Sequence, residues 1–173
     1  TVEPANRPPI ANITTPIDGA SYSEGSDIEC NGLASSDPDN DFLTYTWVLS
    51  GNGPSFTASK QSKFSLDLSE GNYSVTLTVE DPDGESSSVS ISFTVVNLPP
   101  VAILYSNVTS VSIGEEIQFS GNESYDPEGD ALDYLWNFGD EQTSSLNSPA
   151  HSWEEAGTYT VTLTVEDGSG KVG

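Results

Sequence analysis

The sequence predicts an all-β chain of two tandem immunoglobulin-like β-sandwiches. Apolar or aromatic side chains alternate with Ser and Thr through Tyr73–Val79, Val89–Val95 and Tyr159–Val165, the period-two signature of half-buried strands. No stretch sustains a helical periodicity, and clusters of Gly, Pro, Asn and Asp recur between the runs. The chain also repeats itself: Asp37 and Asp126 lie 89 positions apart, as do Trp47 and Trp136, and YSVTLTVED from Tyr73 returns as YTVTLTVED from Tyr159. That period suits one sandwich of about 100 residues and is too long for a solenoid. The expected domains are 1–97 and 98–173.

Composition narrows the function. The 173 residues hold 27 Asp plus Glu against 4 Lys plus Arg, a net charge of -23. Such a surface repels nucleic acid and anionic lipid, so neither is an expected partner. No apolar run approaches the roughly 20 residues of a membrane helix, and no membrane insertion of this segment is expected. A single Cys excludes an internal disulfide and multi-cysteine metal sites. The apolar residues are 34% of the chain and are patterned, which predicts a core rather than disorder.

Taken in order, Pro8-Pro9-Ile10-Ala11 opens the first module and Pro99-Pro100-Val101-Ala102 the second. Ile28-Glu29-Cys30 aligns with Ile117-Gln118-Phe119, which places Cys30 in the core as a small apolar residue rather than a nucleophile. The acidic turn Ser36–Asp41 recurs as Tyr125–Asp130, and Trp47 and Trp136 follow as core residues between the sheets. Trp153 packs in a core or at an edge. Sixteen residues separate Asp81 from the end of the first module at Asn97, whereas six follow Asp167, so the last strand of the second module is expected to be mostly missing. Thr1-Val2 followed by Asn6–Pro9 mimics Thr94-Val95 followed by Asn97–Pro100, as in a segment of a longer array.

The second module carries SYDPEGD from Ser124, LDYLWNFGD from Leu132, PAHSW from Pro149 and GTYTVTLTVEDGSG from Gly157. With these motifs it resembles the PKD (polycystic kidney disease) domains, immunoglobulin-like sandwiches found in tandem in extracellular proteins. The first module keeps SSDPDND, LTYTW and GNYSVTLTVEDPDG but has Val48-Leu49-Ser50-Gly51 in place of Asn137-Phe138-Gly139-Asp140, and lacks the His; it reads as a divergent member. The resemblance implies an extracellular, secreted or cell-surface location. It also permits calcium near the N-terminal pole.

The acidic loops are the candidate site. In such a sandwich the chain start and the B–C and F–G loops share one pole. That pole would gather Asp37, Asp39, Asp41, Asp81 and Asp83 in the first module, and Asp126, Glu128, Asp130 and Asp167 in the second, with Asn97 a further oxygen donor. Clustered carboxylates repel one another unless protons or cations intervene, and Ca²⁺ accepts six to eight oxygen ligands in flexible geometry. An EF-hand is excluded, because Phe42 and Val48 stand where that loop needs Gly and Glu. The competing reading is that Asp-Pro-Asp and Asp-Gly are turn formers that cap their own backbone. Calcium is the expected cofactor.

Catalysis is not expected. The one His, His151, lies in PAHSW as a hydrogen-bonded strand residue, and a solvated sandwich loop does not offer carboxylate pairs contrasting environments. Asn12, Asn72, Asn107 and Asn122 begin glycosylation acceptor triplets. The expected function is a structural or adhesion spacer in a longer surface or secreted protein, whose partners are neighbouring domains and possible surface proteins or extracellular polymers. The alternative is an accessory substrate-binding module of a secreted protease or chitinase.

Overall fold

The computed structural model describes residues 5–173; the echo read from Thr1-Val2 lies outside the described residues. The chain divides into two compact units, Thr1–Asn97 and Leu98–Gly173. Among the described residues no helix is long and apolar enough to cross a membrane.

The first unit contains β1 (Ser21–Ser23), β2 (Ile28–Asn31), β3 (Thr44–Gly51), β4 (Gly53–Ser59), β5 (Lys63–Leu66), β6 (Gly71–Glu80) and β7 (Ser86–Val96). A five-stranded sheet in the order β1-β7-β6-β3-β4 is accompanied by the antiparallel pair β2-β5. Alternate residues point inward, so the core takes Ile28 and Cys30 from β2, Trp47 and Leu49 from β3, Val75, Leu77 and Val79 from β6, and Phe93 and Val95 from β7. Burying each large side chain stabilises the fold by about 1.5–3 kcal/mol. On the opposite face Thr76 bonds Ser90 and Thr78 bonds Ser88 through their hydroxyls, each at 2.8 Å. These cross-strand pairs explain why the alternating partner of the apolar residues is hydroxylated. Cys30 is fully buried, and desolvation, aided by Glu29, pushes its thiol pKa up to about 12.

The second unit contains β8 (Tyr105–Ser106), β9 (Ile117–Ser120), β10 (Leu132–Asn137), β11 (Thr143–Ser144), β12 (Ala150–His151) and β13 (Thr162–Asp167). Its sheets run β11-β10-β13 and β12-β9-β8. The core is aromatic, with Ile117, Phe119, Trp136, Phe138 and Trp153. His151 joins it: the ring stacks on Phe138 at 4.0 Å, meets Trp153 edge-on at 4.6 Å, and bonds the Asp140 carboxylate through Nε2 at 2.8 Å. Burial works against the charge on Asp140, but the His151 bond and the backbone N–H of Gln142 outweigh it and hold the carboxyl below its ordinary range.

Tyr73 and Tyr159 open nearly identical sequences, yet β6 begins at Gly71 whereas β13 begins only at Thr162, beyond Tyr159. The difference lies in the neighbours. All ten residues of β6 pair with β7. On the equivalent side of β13, Val165 exchanges backbone bonds with Gly173. On the other side β10 ends at Asn137, where Gly139 adopts φ 81 and packs its backbone against Thr160. Val161 and Leu163 are therefore half-buried, where the matching Val75 and Leu77 are sealed. A cleft of about 500 Å³ opens here, lined by Val108, Val111, Ile117, Phe119, Trp153 and Val161 among others.

Two predictions follow from the second unit. Appending a copy of Ser88–Val96 after Gly173 would seat a strand beside β13 and raise the unit's melting temperature, by about 4–8 °C per kcal/mol gained; an unchanged melt, followed by tryptophan fluorescence, would show that the cleft takes no strand. Asp140→Asn should destabilise the unit at neutral pH. Because the folded Asp140 carboxyl titrates below its ordinary value of about 3.9, the stability it adds is present above that pH and is lost as pH falls through the folded pKa. The acid limb of a stability-versus-pH curve should flatten in the variant.

Candidate metal centre

The two units build the same acidic turn. Asp37 Oδ1 accepts the backbone N–H of Asp39 at 2.6 Å and of Asp41 at 3.3 Å. Asp126 Oδ1 accepts those of Glu128, Gly129 and Asp130 at 2.8, 3.1 and 3.3 Å. Asn40 and Gly129 occupy the same place in the turn with φ 65 and 90, a conformation those two residue types tolerate. Asp81 and Asp167 cap the later turns in the same way: Asp81 Oδ1 takes the N–H groups of Asp83 and Glu85, and Asp167 Oδ1 those of Ser169 and Lys171. Turn capping thus accounts for one oxygen of each of the four.

It leaves a residue of chemistry. Asp37 and Asp126 are 9% and 7% exposed, and the Oδ2 of each is buried without a hydrogen-bond partner. A buried carboxylate oxygen with nothing to accept is costly unless a cation or proton meets it. In the first unit Asp41 reports the same surroundings. Desolvation, followed by the charges of Asp37, Asp83, Asp39 and Asp81, raises its pKa. Asp41 therefore lies within electrostatic reach of the other four carboxylates.

Two of them are already engaged. Asp39 accepts the Arg7 Nε at 3.0 Å and Nη2 at 2.7 Å on Oδ1, and the Arg7 backbone N–H at 2.8 Å on Oδ2; Arg7 also donates to the Pro38 carbonyl. The guanidinium bond holds the Asp39 carboxyl below its ordinary range. The Asn6 amide donates to Asp81 Oδ2 at 2.8 Å, which lowers that pKa too. Neither Asn6 nor Arg7 belongs to the acidic set expected from sequence. The available signal was that Arg7 is one of only four basic residues and stands in Asn-Arg-Pro-Pro, against Asn-Leu-Pro-Pro at Leu98.

In the second unit the Leu98 backbone N–H reaches Glu128 Oε2 at 3.3 Å, matching the Arg7 backbone bond to Asp39. Asp130 and Asp83 are exposed, Glu128 is half-buried, and Asn97 is buried at 4% exposure. Among the described residues no group of three or more His, Cys, Asp or Glu side chains is arranged to hold a metal ion as it stands. The donor set nonetheless fits calcium in kind: hard oxygens, an orphaned buried carboxylate oxygen in each unit, and solvent-facing neighbours in the same turns. Asn12, Asn72, Asn107 and Asn122 are all exposed. The Oδ1 atoms of Asn72 and Asn107 accept bonds from Thr94 Oγ1 and the Gln118 backbone N–H.

Comparison with known proteins agrees with the fold. Collagenase ColA of Bacillus cereus is 49% identical over 59 residues, 34% of this chain and 6% of its own length. Collagenase ColA of Clostridium perfringens is 40% identical over 77 residues, 44% of this chain and 7% of its own. The mouse Dyslexia-associated protein KIAA0319-like protein is 32% identical over 96% of this chain and 17% of its own length. The chain thus spans a small fraction of the length of these relatives. Residues 6–94 match the profile of the bacterial Ig domain and residues 97–173 that of the PKD domain, and the chain belongs to these immunoglobulin-like families, one unit to each.

Proposed function

We propose that the chain is a non-catalytic, calcium-stabilised structural spacer of an extracellular or cell-surface protein, linking neighbouring domains of a longer polypeptide. The observation that carries this reading is the pair of orphaned oxygens, Asp37 Oδ2 and Asp126 Oδ2, at equivalent places in two sandwiches whose tryptophans are all buried. A cation at each pole would tie the chain entry to two loops and stiffen the module end at which the domain is joined. Asp37, Asp41 and Asp83 would hold it in the first unit, and Asp126, Glu128 and Asp130 in the second. Asp81 and Asp167 serve mainly to position the loops, and Asp39 is engaged by Arg7 in the absence of an ion.

The reactive side chains support a non-catalytic role. His151 is stacked inside the core and bonded to Asp140, and the Cys30 thiol is sealed. The collagenase relatives favour a second reading, an accessory module that helps a secreted hydrolase contact a polymer. Against it, Phe42, Tyr105 and Tyr125 are the large exposed aromatics among the described residues, and they are scattered along the sequence rather than alternating on one strand. Co-sedimentation decides between the two: the spacer stays in solution with fibrillar collagen or chitin, and specific retention on either would favour the accessory module.

Calcium dependence is tested by thermal melts at fixed ionic strength in calcium, magnesium and chelator. Extracellular calcium modules have dissociation constants of about 10⁻⁴–10⁻³ M. With free calcium tenfold to a hundredfold above that, each site should add about 1.4–2.7 kcal/mol. Asp37→Ala and Asp126→Ala should each abolish the calcium-specific gain in their own unit. Equal melting temperatures in all three conditions would leave the loops as acidic turns.

A further inference from the structure

We propose that Arg7 is a tethered counter-ion that competes with calcium for the acidic pole of the first unit, so that the two poles fill at different calcium concentrations. The inference rests on the calcium reading above and concerns how that site is regulated.

The two units provide an internal comparison. Each has a buried aspartate whose Oδ1 caps the turn and whose Oδ2 lacks a partner, and in each a backbone N–H from the chain entry reaches the second acidic residue of the turn, Asp39 or Glu128. The side chain carrying that N–H differs. Arg7 lays its guanidinium on Asp39 Oδ1 and on the Pro38 carbonyl, and its charge is felt by both Asp39 and Asp37. Leu98 has no charge to offer. A fixed positive charge among the oxygens that a divalent ion would use opposes the ion in two ways. It withdraws Asp39 from ligation, and it repels the incoming charge directly. Because the Arg7 side chain is 59% exposed, the pair is hydrated and screened, and its hold on Asp39 is weak enough for an ion to displace. A guanidinium cannot be deprotonated at any ordinary pH, so competition persists wherever the protein is folded.

The arrangement leaves the first pole partly neutralised when calcium is low and the second more responsive to the ion. Calorimetric titration of calcium into the full chelator-stripped chain tests this. The wild type should show two classes of site. Arg7→Leu should tighten the weaker class about tenfold, the effect expected for removing one positive charge a few ångströms from a divalent ion in a hydrated site. Leu98→Arg should weaken the stronger class by a similar factor. Asp37→Ala in the Arg7→Leu background should remove the tightened class and so assign it to the first unit. Arg7→Gln keeps a polar side chain without the charge and guards against loss of folding in Arg7→Leu; it should behave like Arg7→Leu. If Arg7→Gln and Arg7→Leu leave every affinity unchanged while Asp126→Ala still abolishes a class, calcium binds but Arg7 does not compete. If the wild type takes up no calcium, the calcium reading fails and this inference falls with it.

Discussion

Each sandwich is organised around one indole held between its sheets. Trp47 and Trp136 are fully buried, and each leaves one polar atom, Nε1, that must find an acceptor. Both find it in a loop: Trp47 donates to the Gln61 carbonyl at 2.9 Å and Trp136 to the Leu146 carbonyl at 2.8 Å. The ring fills the core while the N–H pins an irregular segment to it. Glycine completes the fit, since a Cβ on Gly32 would meet Trp47 Cζ2 at 3.0 Å and Leu77 Cδ2 at 2.7 Å. Truncating either indole would cost about 3–5 kcal/mol, comparable to the lower end of a domain's whole stability. The position of this strand also fixes the acidic turn before it, so core packing positions the candidate metal site.

Much of the fold was legible because one residue spacing governs it. Alternation in Tyr73–Val79 and Val89–Val95 predicted strands that the structure pairs in register, and the alignment of Cys30 with Phe119 placed a lone thiol in a core. The sequence could not show that Tyr159–Val161 fall outside a strand. That outcome depends on what lies alongside, and period two reports only which side of a strand faces inward. His151 is a hydrogen-bonded strand residue, as its sequence context predicts. Its partner Asp140 sits in a turn whose path depends on Gly139, which sequence spacing does not reveal.

The candidate site was legible in outline and not in its division of labour. The same aspartates admit two readings, as turn caps or as calcium ligands, and the structure assigns the capping to one oxygen of each. In Asp37 and Asp126 one oxygen caps backbone N–H groups and the other is left over. Asp39 joins the expected ligands by its acidity and regular spacing alone. Arg7 engages both of its oxygens, and a contact across 32 positions leaves no trace in local pattern.

The near-identity of YSVTLTVED and YTVTLTVED bears on how the chain reaches its native state. During folding, β7 meets two segments with almost the same hydrogen-bonding edge and the same apolar face. Its native partner β6 is reached through the tight turn after Asp81, where the Asp81 N–H bonds the Glu85 carbonyl, whereas the copy at Tyr159 is reached only by closing a much longer loop. Loop-closure entropy favours the near partner by about 2 kcal/mol. The shorter loop, rather than sequence discrimination between the copies, favours pairing within the unit over misassembly between repeats. A longer or floppier hairpin at Asp81–Glu85 would erode that protection before it altered any contact in the finished core.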